Sequence, residues 1–323
     1  MQRSSVKIGA LVPLSRPGWV EAGRHLLAGL SLAARELEID GRPIELTVRD
    51  STDPTAVDEL AGLGAAALAG EYHSVTARAT AARADALGLP FLCSSAVLDA
   101  LTDQPTDRVA RLAPAQSHGW SVYAGFLRDA GHRRIAVAAQ PSVYWEAGTR
   151  ILRNHLDVVE VDPAAVCEEL VDSGATALLV LTGYPEPAAS IVGAVRGDPR
   201  LAEVLIGAPA GQPEFADWAG VPFLRYLPSR LGPLGTRVSA ALGSPSFVAF
   251  EGYDTVLVLA EMLRSPGASW ADVSWAGVDV EGTRGRIRFS RVPGISVWQW
   301  AWPPVQVVDR DPADPSRFRI LRT

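Results

Sequence analysis

Apolar and polar positions change period twice between residues 6 and 50. Val6 to Leu14 is a short apolar run, suited to a strand buried on both faces. Ser15 to Gly18 is turn chemistry, with Pro17 fixing its own φ and Gly18 free to take positive values. From Ala22 to Leu37 the period becomes helical, with Leu26, Leu27, Leu30, Ala33, Ala34 and Leu37 on one side. Asp40-Gly41 makes a turn, and Ile44, Leu46 and Val48 then alternate as a strand that ends at Asp50. A strand, helix and strand of this length form a βαβ unit, which requires a right-handed crossover and a parallel sheet.

The alternation continues. A helix is predicted over Thr55–Leu63, a strand over Ala65–Ala69, a helix over Val75–Leu87 and a strand over Phe91–Cys93. Loops behind these strands carry Trp19, the Gly70-Glu71-Tyr72-His73-Ser74 segment, and Ser94-Ser95-Ala96-Val97. On a parallel sheet such loops converge on the carboxyl edge, where ligands gather. Trp19 there is either a ligand-stacking aromatic or a lid over the first helix. Ser74 stands just before a helix. It is either a carboxylate receptor, with its hydroxyl beside outward-pointing N–H groups, or a plain N-cap.

Further along, helices are predicted over Gln116–Ala130, Pro163–Leu170, Pro187–Val195 and Phe247–Leu263. Strands are predicted over Ile135–Ala139, Val158–Val161, Ala177–Leu181, Val204–Ile206 and Phe223–Leu227. Ser296 to Val308 alternates as the last strands. Trp298, Trp300 and Trp302 lie two apart, on one face that is either buried or meets a partner.

Length favours two lobes over one core: the chain has 323 residues. Its 48% apolar and 20% charged content is that of a globular protein. A net charge of −6 supplies no basic field, so no nucleic acid is expected as a partner. No apolar run approaches the roughly 18 residues of a membrane span. MQRSSV leads straight into the first strand without the pattern of an export signal. The chain as written is therefore expected in the cytoplasm, and outside it if this is a processed or recombinant mature form. Cys93 and Cys167 fall in different lobes and read as free thiols. Lys7 is the only lysine among 30 basic residues, so no Schiff base is available elsewhere. No G-x-S-x-G, H-E-x-x-H, C-x-x-C or Walker loop occurs. His73 adjoins Ser74, but sequence neighbours rarely place a base on a nucleophile. No catalytic residue, metal site or cofactor is expected.

Several of these stretches together resemble the branched-chain amino acid type of solute-binding protein, a type I periplasmic-binding fold. The matching pieces are Pro13-Leu14-Ser15, Gly23, Gly29, then Ile44, Leu46, Asp50 and Asp53-Pro54. Later come Gly70 with Ser74, Leu101-Thr102, Arg111 to Pro114, Tyr253-Asp254, and the Gly282 to Phe289 run. The resemblance implies two Rossmann-like lobes with parallel sheets joined by a multi-strand hinge. The lobes would be residues 1–114 with 229–283, and 115–228 with 284–323. It implies a small polar ligand in the interlobe cleft, amino-acid-like or an amide or carboxylate. Its lining would include Trp19, Tyr72, Ser74, Ser94, Ser95, Ala96, Val97, Tyr144, Tyr184, Gln212 and Tyr253. Val97 replaces the family's carboxylate-holding threonine, and Gln212 stands near the family's ammonium-pairing acid. The partner would be an ABC permease, or a regulatory protein if the chain is a cytoplasmic amide-type sensor; an enzyme on this scaffold is the remaining alternative.

Overall fold

The chain opens as its periodicity demands. β1 (Val6–Val12) leads through a loop to α1 (Val20–Glu36), then the short β2 (Glu38–Ile39) and β3 (Arg42–Asp50). β1 and β3 pair in parallel from Val6↔Ile44 to Val12↔Asp50. The alternation runs on through α2 (Ala56–Gly62), β4 (Ala67–Gly70), α3 (Ser74–Ala86), β5 (Phe91–Cys93) and β6 (Val109–Arg111). This is a computed structural model, and it describes residues 4–216, 218–243, 245–264 and 274–323. The parts of the expected lobes at 1–3, 217, 244 and 265–273 lie outside the described residues.

A second run of alternating elements follows: α4 (Gln116–Asp129), β7 (Arg134–Ala139), α5 (Val143–Arg153), β8 (Asp157–Val161) and α6 (Val166–Ser173). It continues with β9 (Ala177–Leu181), α7 (Ala188–Gly197), β10 (Leu205–Gly207) and β11 (Phe223–Arg225). The chain then adds α8 (Pro233–Leu242), α9 (Phe247–Met262), β12 (Asp279–Gly282), β13 (Gly285–Ser290) and β14 (Trp298–Trp300). β15 (Gln306–Asp311) and β16 (Asp314–Arg322) close it.

Contacts divide the chain into two units, residues 1–115 with 226–304 and residues 116–225 with 305–323. The first is built on a nine-stranded sheet in the order β12-β13-β14-β6-β5-β4-β1-β3-β2. Its six central strands, from β14 to β3, run parallel. The second holds a parallel sheet ordered β10-β9-β7-β8 and an antiparallel one ordered β11-β15-β16. Residues 284–304 were expected in the second lobe and belong to the first unit. The reason is the pairing of β14 with β6, Trp298↔Ala110 and Gln299↔Arg111.

α9 is apolar on nearly every side and is buried accordingly. It packs on α1 so closely that the two backbones nearly touch. A Cβ on Gly29 would lie 1.8 Å from the Ala249 carbonyl oxygen, and one on Gly252 would lie 2.4 Å from that of Leu26. The three tryptophans part company. Trp300 is buried, Trp298 is half-buried, and Trp302 is 87% exposed. Strand β14 stops at Trp300, and Pro303-Pro304 ends the alternation that would have kept Trp302 on its face. Among the described residues no helix is long and apolar enough to cross a membrane.

Candidate functional site

In the first unit six parallel strands end on one line. Arg49, Leu11, Gly70, Cys93, Arg111 and Gln299 are register partners across β3, β1, β4, β5, β6 and β14. The residues just beyond that line form the carboxyl edge.

Asp50 and Asp53 organise the near end of this edge. Asp50 Oδ1 accepts the amides of Leu14 at 3.3 Å and Thr52 at 3.0 Å, tying the loop after β1 to the end of β3. Burial works against its charge, but hydrogen bonds from Ser15, Thr52 and Leu14 hold the carboxyl below its ordinary value. Asp53 Oδ1 accepts the Thr55 amide at 2.8 Å and caps the approach to α2. These acids are spent on the loop.

Trp19, from the loop after β1, is half-buried and lies flat on His73, with ring centroids 3.6 Å apart. The Arg16 guanidinium lies 4.1 Å from the Trp19 ring centroid. Burial, aided by the Arg16 charge, pushes His73 down to about 4 and keeps its imidazole neutral. His73 Nδ1 lies 3.4 Å from Thr76 Oγ1, on its own helix.

Ser74 opens α3 and is buried. Its Oγ accepts the amides of Val97 at 3.2 Å and Leu98 at 3.4 Å. The hydroxyl therefore ties α3 to the loop after β5. That loop is held from the other side by the Glu71 carbonyl, which accepts the amides of Ser95 at 3.2 Å and Ala96 at 3.1 Å. Ser95 Oγ donates to Ser94 Oγ at 3.3 Å, and Ser94 Oγ donates to the Glu71 carbonyl at 3.5 Å. Ser94, Ser95, Ala96 and Val97 are all buried.

Four buried charged residues back this edge, and none was among those expected to line the ligand site. Glu71 Oε1 accepts the His73 amide at 2.7 Å. Desolvation pushes the Glu71 carboxyl up to about 7, against hydrogen bonding from His73, Ser51 and Tyr72. Arg111 Nη1 donates to the carbonyls of Val97 at 2.9 Å and Leu98 at 2.6 Å, and its Nε donates to Gln299 Oε1 at 2.7 Å. Glu251, near the start of α9, pairs with Arg284 at 3.1 Å. The available signal for Glu251 was its setting: a charge inside the apolar stretch Phe247–Leu263 must be buried with a partner.

The second unit has its own carboxyl edge. Gln140 follows β7, and its Oε1 accepts the Gly183 amide at 2.9 Å. Gln212 follows β10, and its Nε2 donates to the Thr182 carbonyl at 2.9 Å. Tyr184 packs edge-on to Trp218, centroids 5.6 Å apart. Tyr144 is held in the first turn of α5, where Ser142 Oγ caps its amide at 3.2 Å. Trp120 and Trp145 crowd its ring, and burial pushes its phenol upward.

Of the residues expected to line a ligand site, Trp19, Tyr72, Ser74, Ser94, Ser95, Ala96 and Val97 share the first unit's edge. Tyr144, Tyr184 and Gln212 follow parallel strands of the second. Tyr253 is a correction. Its hydroxyl donates to Glu36 at 2.9 Å and accepts from Arg237 at 2.8 Å. Glu36 ends α1, about 25 Å of helix away from the carboxyl edge where α1 begins. Tyr253 is a tether between helices. Its motif neighbour Asp254 is also structural, accepting the Thr283 amide at 2.6 Å and so fixing the turn between β12 and β13. No group of side chains that could hold a metal ion occurs among the described residues.

The family model described as periplasmic binding protein matches residues 5–214. Among solved structures, the leucine-binding protein LivK of Thermotoga maritima superposes with a TM-score of 0.82 at 18% identity, covering 98% of this chain and 97% of its own. The branched-chain amino acid transporter substrate-binding protein LivJ of Streptococcus pneumoniae, in complex with isoleucine, gives 0.82 at 18% identity, covering 99% and 100%. An ABC-transporter solute-binding protein of R. palustris, in complex with 4-hydroxybenzoate, gives 0.78 at 16% identity, covering 99% and 96%. At these identities the likeness is one of fold. No curated protein matches the chain.

Proposed function

The chain belongs to the periplasmic binding protein family, and on that premise we propose that it is a non-enzymatic solute-binding protein of the ABC-transporter type. The solute is small and polar: amino-acid-like, an amide or a carboxylate. The observation that carries this reading is the common line on which β1, β4 and β5 end, which brings Trp19, Ser74 and Ser95 to one edge. Trp19 offers its indole edge, Ser74 its hydroxyl, and α3 the N–H groups of its first turn. Leucine, isoleucine and 4-hydroxybenzoate, bound by the structural neighbours, are all small carboxylates, which such donors suit.

The reading contains no catalytic step. His73 is the titratable group next to Ser74, yet its ring is stacked on Trp19 and directed to Thr76. The partner that receives the solute is an ABC permease; a regulatory protein is the partner if the chain acts as a sensor.

A thermal-shift screen tests the proposal, run on protein unfolded and refolded to strip carried-over ligand. The panel holds amino acids, amides, aromatic and aliphatic carboxylates, polyamines and sugars. A true solute at ~100 times its Kd stabilises by about 2.7 kcal/mol, well within detection. A panel in which no amino acid, amide or carboxylate raises the Tm overturns the reading.

A further inference from the structure

Two neighbouring helices of the second unit leave a groove between them. Val166 and Leu170 of α6 join Ile191, Val192 and Val195 of α7 in one buried apolar cluster with Leu178 and Val180 of β9. Above that floor, between the first turns of the two helices, lies a hollow of about 340 Å³. Ala164, Val166 and Cys167 line it on the α6 side, and Pro187, Ile191 and Ala194 on the α7 side. One turn on from Cys167, Val171 is 39% exposed and carries the apolar strip further along α6. The polar groups of the lining are already engaged. Ser190 Oγ donates to Glu186 at 2.6 Å, and Glu168 takes two hydrogen bonds from Arg200 at 2.9 and 2.7 Å. A wall without a polar group to spare gives a small polar molecule nothing to orient on, but it suits an apolar side chain.

The mouth of this groove is acidic. From residue 154 to residue 195 the chain carries seven acids and no lysine or arginine. Asp157, Glu160 and Glu168 are paired with arginines from outside that stretch. Asp162, Glu169, Asp172 and Glu186 are exposed and make no ion pair among the described residues. Asp162 immediately precedes the lining on the α6 side, where its amide donates to Glu169 Oε2 at 2.8 Å, so the two acids sit together. Glu186 immediately precedes the lining on the α7 side. Apolar floor and negative mouth thus occur in one place.

We propose that the groove between α6 and α7 is a docking site for a basic amphipathic segment of a partner protein. An apolar side chain of that segment fills the hollow, and its lysines or arginines meet Asp162, Glu169 and Glu186. The same acids turn away an acidic partner, an anionic lipid surface and the like-charged groove of a second copy. The inference stands on the second unit alone and does not depend on the solute-binding reading.

The test uses the whole chain and three short peptides: an amphipathic helix of leucines and lysines, its counterpart with glutamate for lysine, and one with serine for leucine. Cys167 reports occupancy, because it is half-buried in the groove wall while the other thiol, Cys93, is fully buried. Near saturation the leucine–lysine peptide should slow alkylation of Cys167 about tenfold, and fluorescence anisotropy should show it binding about tenfold more tightly than the other two. Ala194→Trp fills the hollow from an exposed position and should weaken that binding about tenfold. Glu186→Arg should weaken it as well, and serves if Ala194→Trp does not fold. Binding that leaves alkylation unslowed, equal binding of the glutamate or serine peptide, full binding by both variants, or no binding at all overturns the inference. So does a chain that dimerises and ceases to do so in Ala194→Trp, since the occupant would then be a second copy.

Discussion

Trp19 lies flat on His73, with 21° between the ring planes. The stack joins the loop after β1 to the loop before α3, and it helps to keep His73 dry and neutral. Removing the indole by Trp19→Ala should let His73 rise from about 4 toward its ordinary value. An NMR titration of the imidazole reads this directly. A His73 that still titrates near 4 would mean that its burial comes from elsewhere.

Glu71 and Glu251 are both pushed up to about 7 by burial. A carboxyl whose folded value lies above its unfolded one holds its proton longer in the native state. Stability is therefore lost as pH rises from about 4.5 to about 7 and levels off above. Each group accounts for at most about 3 kcal/mol of that loss. His73, held down at about 4, opposes this, since its contribution grows as pH rises from about 4 to about 6.5. Denaturant melts of Glu71→Gln and Glu251→Gln should therefore each show stability rising more steeply with pH, across about 4.5 to 7, than melts of the unaltered chain. A pH dependence unchanged in both variants would sink the assignment.

The contact between α1 and α9 leaves no room for a methyl group. Gly29→Ala or Gly252→Ala would press a Cβ onto a carbonyl of the facing helix. The helices must part, at a cost of about 1–3 kcal/mol or somewhat more. Equilibrium unfolding of either variant measures it, and a loss under half a kilocalorie would show that the helices separate freely.

Ser74→Ala removes the acceptor for two buried amides, Val97 and Leu98. We expect faster hydrogen exchange at both, about 1–3 kcal/mol less stability, and solute binding weakened at least tenfold. Exchange that speeds up with binding unchanged would leave Ser74 a purely structural cap.

Tyr253→Phe should behave differently. It breaks the link to Glu36 and Arg237 and should cost about 1 kcal/mol of stability. Solute affinity should not move. A loss of affinity would return Tyr253 to the binding surface.

Much of the fold could be read because strand and helix periods alternate so regularly from Val6 to Leu181. The site could be read only as far as backbone topology reaches. Strand ends bring Trp19, Ser74 and Ser95 together whatever their side chains do. Tyr253 shows the limit, since a tyrosine in an apolar helix has the same period whether its hydroxyl meets a ligand or a glutamate. Residues 284–304 show another, because β14 finds β6 by a pairing between distant stretches of sequence that no local pattern encodes. Arg111 and Arg284 lie in stretches that the resemblance named, but an arginine beside a turn has the same sequence setting whether its charge is solvated or buried.

The close seating of α9 on α1 also sets an order of events at the ribosome. The unit that opens the chain waits for a helix that ends at Met262 and for a strand that ends at Trp300. By then the whole parallel sheet of the second unit, complete at Gly207, has long left the exit tunnel. The unit that is begun first is therefore closed only after the parallel sheet of the other has formed. A nascent chain stalled before residue 247 should carry the second unit's parallel sheet in protease-resistant form beside an N-terminal segment that is still open to attack.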